Sequence, residues 1–404
     1  MCSSDLNGGA GSLRSYIYLR SRHGRACPAR QICMIKDIRI AIIGAGMGGL
    51  ALASALSRLG IRAKVFEQTK KFTRLGAGIQ MSPNAVKALR GLGLEANVRR
   101  RGFQPENWAN REANSGHMMF ELRLGKEAEA LYGAPYLQMH RADLHSALLE
   151  ATPPDWLHLG HKLLAVDTTP SGLSLHFENA KSVEADLVIG ADGLHSIIRE
   201  ILLGPSPLSA TGRVAYRAVF PASLMPAPIG PCTKWWGEDR HIVLYYVSSK
   251  SDEVYFVTSL PDDDWKDESW SAEGDMTVVR KAFGHFHEEV RQALSACPHV
   301  HRWAIMDRPS LKQWHGNGMV LLGDAAHPMT PYMAQGAAMA LEDAVVLARA
   351  LAKSTNLDSA LDTFQQKRSA RTAKAQAVSQ ANTWMRAETD PTWCYGYDPW
   401  AEEL

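Results

Sequence analysis

Ile38-Arg39-Ile40-Ala41-Ile42-Ile43, followed at once by Gly44-Ala45-Gly46-Met47-Gly48-Gly49, is the stretch on which the fold turns. Six residues of mostly β-branched character run into a GxGxxG turn. Residues 50–59 are rich in Ala and Leu without Pro, Gly60 closes them, and Ala63-Lys64-Val65-Phe66 leads to Glu67. This order predicts strand, turn, helix and strand. Gly44 permits the tight turn, Gly46 lets backbone approach a pyrophosphate, and Gly49 lets helix pack on strand. Gly48 adds to the turn's lack of side chains, and the helix N-terminus offers N–H groups and a positive dipole end to phosphates. Glu67, 23 residues after Gly44, stands where a carboxylate accepts hydrogen bonds from a ribose diol. The combination predicts a dinucleotide site. Residues 40–57 carry no charge, but four glycines within six residues oppose a spanning helix, and 18 residues is short for one.

The 404 residues suffice for two or three domains. Net charge is +2, yet residues 1–33 hold five Arg against one Asp, leaving the remainder at −2. Such a balance points to neither nucleic acid nor an anionic membrane. Cys2, Cys27 and Cys33 fall in that leader, while Cys232, Cys297 and Cys394 are scattered through the body. This spacing gives no disulfide framework and no metal site, and it predicts a reducing, cytoplasmic setting. Residues 1–34 are expected to be unstructured or an artefactual leader, with Met34 as the natural start. An Arg- and Ser-rich transit peptide is the alternative.

Further along, Phe72-Thr73-Arg74-Leu75-Gly76-Ala77-Gly78-Ile79-Gln80-Met81-Ser82-Pro83-Asn84 reads as a loop whose backbone approaches a flat or phosphorylated group, before a helix over 85–91. Residues 136–139 read as a strand, and Arg141 opens the helix that follows, where it reaches a phosphate or flavin edge or simply faces solvent. Residues 161–166 and 173–177 suggest a hairpin. Ala185-Asp186-Leu187-Val188-Ile189-Gly190-Ala191-Asp192-Gly193 is a buried strand running into a sharp turn, and Met319-Val320-Leu321-Leu322-Gly323-Asp324 repeats that design. From about Ser206, strand-like pieces at 214–220, 234–236, 241–247 and 253–258 predict a mostly antiparallel second domain. Helices are expected over 276–294, 337–352 and 359–387, with an aromatic tail to the end.

GxGxxG, Gly190-Ala191-Asp192-Gly193 and Gly323-Asp324 together resemble the group A FAD-dependent aromatic hydroxylases, over a span from Ile38 to the C-terminus. The resemblance implies an α/β fold: a Rossmann-like FAD-binding domain (35–102, 136–205 and 305–372) interrupted by a mostly antiparallel β-sheet substrate domain (103–135 and 206–304). A C-terminal helical segment and aromatic tail (373–404) follow. Within the group, Cys232-Thr233-Lys234-Trp235-Trp236, Glu238-Asp239-Arg240-His241, Tyr245, Ala381-Asn382-Thr383-Trp384 and Tyr395-Gly396-Tyr397-Asp398 are most similar to the 6-hydroxynicotinate 3-monooxygenases.

By that resemblance Gly44, Gly46, Gly48 and Gly49 hold the FAD pyrophosphate and Glu67 the adenosine ribose. Arg141 and Gln80 contact the cofactor, the backbone at Leu163 borders the adenine, Asp324 holds the ribityl chain, and Gly336 and Ala337 offer N–H groups to the flavin. Asp192 serves FAD and the nicotinamide cofactor, or caps a turn. Cys232, His241, Tyr245 and Tyr332 contact substrate, and Tyr245 removes the ring-hydroxyl proton, through a lowered pKa or a relay via His241. Gln80 and Tyr332 stand where the hydroxynicotinate enzymes carry histidines, and Gln80 is closer to salicylate and 3-hydroxybenzoate hydroxylases. The implied reaction uses NADH or NADPH and O₂, through a flavin hydroperoxide, to hydroxylate a ring hydroxy-carboxylate with decarboxylation. No second GxGxxG unit exists, so the nicotinamide cofactor is expected to bind transiently over the FAD domain. A monomer or homodimer is expected. A salicylate-type hydroxylase, a non-oxygenating flavoprotein reductase and a nucleotide-binding sensor are the alternatives.

Overall fold

The computed structural model describes residues 35–404 apart from Leu75, Asp263 and residues 266–271, so the expected leader lies outside the described residues. Ile40–Ile43 forms a strand buried along its whole length, because neighbours cover both faces and a continuous apolar run suits that position. Beside it in one six-stranded sheet lie, on one side, Leu187–Gly190, Met319–Leu321 and the short His315–Gly316. On the other side come Lys64–Glu67 and Leu157–Leu159. All pairs are parallel except His315–Gly316 with Met319–Leu321. The α/β expectation holds. The three Gly-bearing turns leave the C-terminal ends of three adjacent parallel strands, the edge at which open α/β sheets bind ligands.

Helices Met47–Arg58 and Gly336–Lys353 pack against each other beside this sheet, and both are apolar over most of their surface. Leu357–Gln380 lies over the second of them. The hairpin forms as Leu163–Thr169 and Gly172–Phe177, with Ser182–Ala185 as an unforeseen third strand.

The second sheet has eight strands, in the order Glu273–Gly274, Val300–Asp307, Ser209–Pro221, Glu253–Pro261, His241–Tyr246, Cys232–Trp236, Asn107–Glu112 and Met118–Arg123. It is antiparallel except where Cys232–Trp236 meets Asn107–Glu112. Alternation sets its two faces apart. Trp235, Phe256 and Leu244 point to one side, where Phe283, Phe286, Val290 and Leu294 close a core. Tyr245, Tyr255 and Val243 belong to a different cluster on the other face, with Trp108, Tyr136, Trp384 and Tyr395. One helix expected over 276–294 is two, Met276–Ala282 and Glu288–Ala296, because Phe283 and Phe286 turn into the core between them. The long C-terminal helix stops at Gln380, before the expected 387.

Candidate active site

One cavity of about 400 Å³ runs between the nucleotide turn and the second sheet. At the turn, Gly44 has φ +102, and a Cβ there would stand 2.4 Å from the Ala191 carbonyl oxygen. At Gly49 a Cβ would meet the Gly44 carbonyl oxygen at 2.0 Å, and at Gly48 it would meet Leu322 at 2.4 Å. These three glycines serve close packing of turn, helix and adjacent strands. Gly46 differs: nothing lies within 4 Å of where its Cβ would be, and it lines the cavity. Backbone is thus bare where a phosphate would approach.

Glu67 fixes that turn from below. Its Oε2 accepts the Ala45 N–H at 2.9 Å and its Oε1 the Thr69 N–H at 2.8 Å, while His145 Nε2 lies 2.9 Å from the Ala45 carbonyl oxygen. Each Glu67 oxygen keeps a further lone pair for a diol. Arg141 and Asp324 both line the cavity and are accessible through it. Surrounded by protein at the cavity wall, Arg141 has its pKa lowered by desolvation against the charge of Asp324, and Asp324 has its pKa raised by desolvation against His327 and then Arg141. Ala334, at φ +55, turns the chain so that Gly336 and Ala337 present the N-terminus of an 18-residue helix to the same cavity. Asn84 donates to Gln335 Oε1 at 3.0 Å and to Glu342 Oε1 at 2.7 Å, and Gln335 donates to Ser82 Oγ at 2.8 Å. Gln80 lies in a strand, Gly78–Met81, paired with Leu137–His140 where a loop was expected, and the chain just after it is thereby tied to that helix. A bare glycine turn, a cavity-facing Arg and Asp and a second helix N-terminus fit FAD, while Glu67 braces the turn and is not part of the cavity lining.

Other expected residues stand apart from the cavity. Asp192 turns towards its own helix: Oδ2 accepts from Ile197 N at 2.8 Å and Ile198 N at 3.3 Å, and Oδ1 is buried without a partner in the protein. Its neighbours Ala191 and Gly193 line the cavity instead. Leu163 is buried at the start of its strand. Cys232 is wholly buried behind Gln80, whose Nε2 donates to its Sγ at 3.5 Å.

At the sheet end, register assembles the site from four strands. Lys234 pairs with Val243, Val243 with Val257, and Val257 with Arg217, giving one row across the sheet with an apolar middle and a cation at each end. Tyr245 and Tyr255 form the next row, rings 5.0 Å apart, and His241 and Ser259 the row on the other side. Tyr332 closes over His241, 5.4 Å between ring centres, with its hydroxyl 3.0 Å from Ser259 Oγ. His241, Tyr245, Tyr332, Gln80, Lys234 and Arg217 all line the cavity.

Burial decides the protonation states here. It pushes the Tyr245 phenol well above its ordinary pKa, the reverse of the lowering that a base would need. Burial, then the charges of Lys234 and Arg213, push the His241 imidazole well below its ordinary value. Lys234 and Arg217 were missed in the sequence because a charged residue within a strand reads as solvent-facing.

The FAD binding domain family matches residues 37–379. The chain is 42% identical over 371 residues to the 6-hydroxynicotinate 3-monooxygenase of Bordetella bronchiseptica, covering 91% of this chain and 97% of that protein. It is 41% identical to the enzyme of the same name from Pseudomonas fluorescens, covering 90% and 96%. The structure of Klebsiella pneumoniae HpxO complexed with FAD and uric acid superposes with a TM-score of 0.77 at 26% identity, over 88% of this chain and 90% of that one.

Proposed function

We propose a function from one premise: the chain belongs to the FAD-dependent aromatic monooxygenases, whose FAD binding domain it carries at residues 37–379. It uses NAD(P)H and O₂ to hydroxylate a hydroxylated ring carboxylate, and 6-hydroxynicotinate is the substrate we assign. Oxygen enters at the carbon bearing the carboxylate, so CO₂ leaves and a dihydroxypyridine forms. The observation that carries this reading is the single cavity that joins Gly46 and Asp324 to the sheet face bearing His241 and Tyr245.

Gly46, Gly48, Glu67, Arg141, Asp324, Gly336 and Ala337 would hold FAD, with Gly44 and Gly49 shaping the turn, Leu163 behind the adenine and Asp192 supporting the adjoining strand end. The redox chemistry, hydride uptake from NAD(P)H and delivery of one oxygen atom of O₂, is what FAD supplies when bound. The residues of the sheet orient the ring and exclude water. Tyr245 and Tyr332 donate hydrogen bonds to ring oxygens, His241 stays neutral and packs against Tyr332, and Cys232 supports Gln80 from behind. Residues 35–102, 136–205 and 305–372 form the FAD-binding domain, and 103–135 with 206–304 the substrate domain. Among the described residues no helix is long and apolar enough to cross a membrane. Cys232, Cys297 and Cys394 are unpaired and buried, which supports a reducing, cytoplasmic setting. The assembly we assign is a monomer or homodimer.

Gln80 and Tyr332, non-titrating near neutrality where the hydroxynicotinate enzymes carry histidines, favour a second reading as a salicylate or hydroxybenzoate hydroxylase. A panel of 6-hydroxynicotinate, salicylate and hydroxybenzoates, scored by NAD(P)H oxidation and product mass, decides between them. A product lacking the carboxylate from 6-hydroxynicotinate supports the first reading, and turnover of hydroxybenzoates alone supports the second.

A further inference from the structure

We propose that Lys234 takes the proton from the ring hydroxyl of the bound substrate and then pairs, as an ammonium, with the ring oxyanion. This rests on the hydroxylase reading above. Lys234 lies in mid-strand, 1% exposed, and opens on the cavity. Its Nζ stands 3.8 Å from the centre of the Trp236 ring, and among the described residues no carboxylate or carbonyl accepts a hydrogen bond from it. A buried amine aimed into a cavity, with an aromatic face as its only partner, is costly unless the cavity's occupant supplies one.

The other groups at this end are unsuited to the task. Tyr245 is held protonated by burial, and burial makes His241 a weaker base than free imidazole. Arg217, whose guanidinium lies 4.8 Å from the Trp303 ring, does not give up its proton, and it stands three strands from Lys234, about 14 Å between backbones. Asp324 belongs to the Arg141 end of the cavity. The groups facing Lys234 are His241 on the adjacent strand, Arg386 at 5.6 Å from the same Trp236 ring, and beyond them Arg213 and Tyr332. None is an anion. Burial, then Arg386, pull the Lys234 amine down to about 7, which leaves free amine available at neutral pH, where a general base works best.

The step balances within the pair. The substrate O–H bond breaks, the amine lone pair takes the proton as a new N–H bond, and two neutral groups become an ammonium and an oxyanion. The oxyanion makes the ring electron-rich enough for electrophilic oxygen, and the proton returns to product or water at release.

The test uses FAD-loaded full-length protein, oxidised and without NAD(P)H, titrated with 4-hydroxy-3-nitrobenzoate, which is colourless as the phenol and yellow as the phenolate. In the wild type the bound probe ionises at a pH about one unit lower than in Lys234→Met. Lys234→Met also lowers kcat/KM for 6-hydroxynicotinate roughly 100-fold and loses the acid limb of the pH profile near 7. Lys234→Arg, which supplies charge without accepting a proton, restores the yellow bound probe but not the rate. A Lys234→Met protein with unchanged probe ionisation and rate overturns the proposal, as does Lys234→Arg at the wild-type rate. Retained flavin absorbance reports folding, and if the Met variant loses it the Arg variant decides. Wild-type protein that takes up no O₂ with any hydroxylated ring ends the hydroxylase reading separately, since the probe titration still reports what Lys234 does.

Discussion

Asp343 Oδ2 accepts the backbone N–H of Gly323 at 3.1 Å and lies 2.5 Å from His327 Nε2, so a carboxylate on one helix fixes the turn that presents Asp324 to the cavity. Its other oxygen accepts from Arg368 Nε at 2.6 Å, and all three side chains are buried. Removing one partner of such a buried set leaves uncompensated charge and costs about 3–5 kcal/mol. Asp343→Asn should therefore lower the denaturant midpoint markedly and weaken FAD retention. Denaturant unfolding and flavin release on dilution measure this, and unchanged values would remove Asp343 from the role.

The same group sets acid stability. Burial raises its pKa, but His327 and Arg368 outweigh burial and hold it at about 2. A depressed carboxylate stabilises the fold fully above its unfolded value near 4, and the contribution fades as pH falls from about 4 to 2. Asp343→Asn should flatten the stability curve over that window, which unfolding at a series of pH values measures.

Lys234 gives a slope of the same sign in a higher pH window, there because a buried charge costs stability rather than adding it. Its folded value of about 7 lies below the unfolded value near 10.4, so the unfolded chain binds more protons between them. Stability should rise with pH across that window by about 1.4 kcal/mol per unit from this group alone, and stay flat below 7. Lys234→Met removes the cost of burying an amine. It should raise Tm at pH 7 while reducing turnover, and the gain should vanish near pH 10. A Tm drop at pH 7 would contradict this.

Gly78 sits against the substrate end. A Cβ there would lie 2.6 Å from the Tyr255 ring and 2.7 Å from the Tyr245 hydroxyl, both buried. Gly78→Ala should displace the two tyrosines and raise KM for the aromatic substrate about tenfold, the effect of roughly 1.4 kcal/mol, with FAD affinity unchanged. Steady-state kinetics beside a flavin titration tests the separation.

The Rossmann half was legible because local chemistry dictates it: a β-branched run, glycines and an acidic residue at the right offset occupy one continuous stretch. The Gly-Asp turns after 187–190 and 319–321 were legible for the same reason. The sheet end was legible in part: 214–220, 234–236, 241–247 and 253–258 read as strands and form, while the outer strands did not show. Asn107–Glu112 and Val300–Asp307 carry Asn, Arg and His that hide their strand character, and each is joined to the middle of the sheet by a strand distant in sequence, Cys232–Trp236 and Ser209–Pro221. Lys234 and Arg217 gain meaning only from register, which puts them in one row through Val243 and Val257. Trp400, whose Nε1 donates to the Ala88 carbonyl oxygen at 3.0 Å, shows the aromatic tail packed back on the first domain, a contact that no local pattern encodes.

The most direct test of the account is O₂ uptake by the FAD-loaded protein with NADH or NADPH, in the presence and absence of 6-hydroxynicotinate or a hydroxybenzoate. Uptake should be slow without the ring compound and strongly stimulated with it, one O₂ consumed for each NAD(P)H oxidised and each ring hydroxylated. NAD(P)H oxidation that proceeds with any of these rings while O₂ stays constant would contradict it.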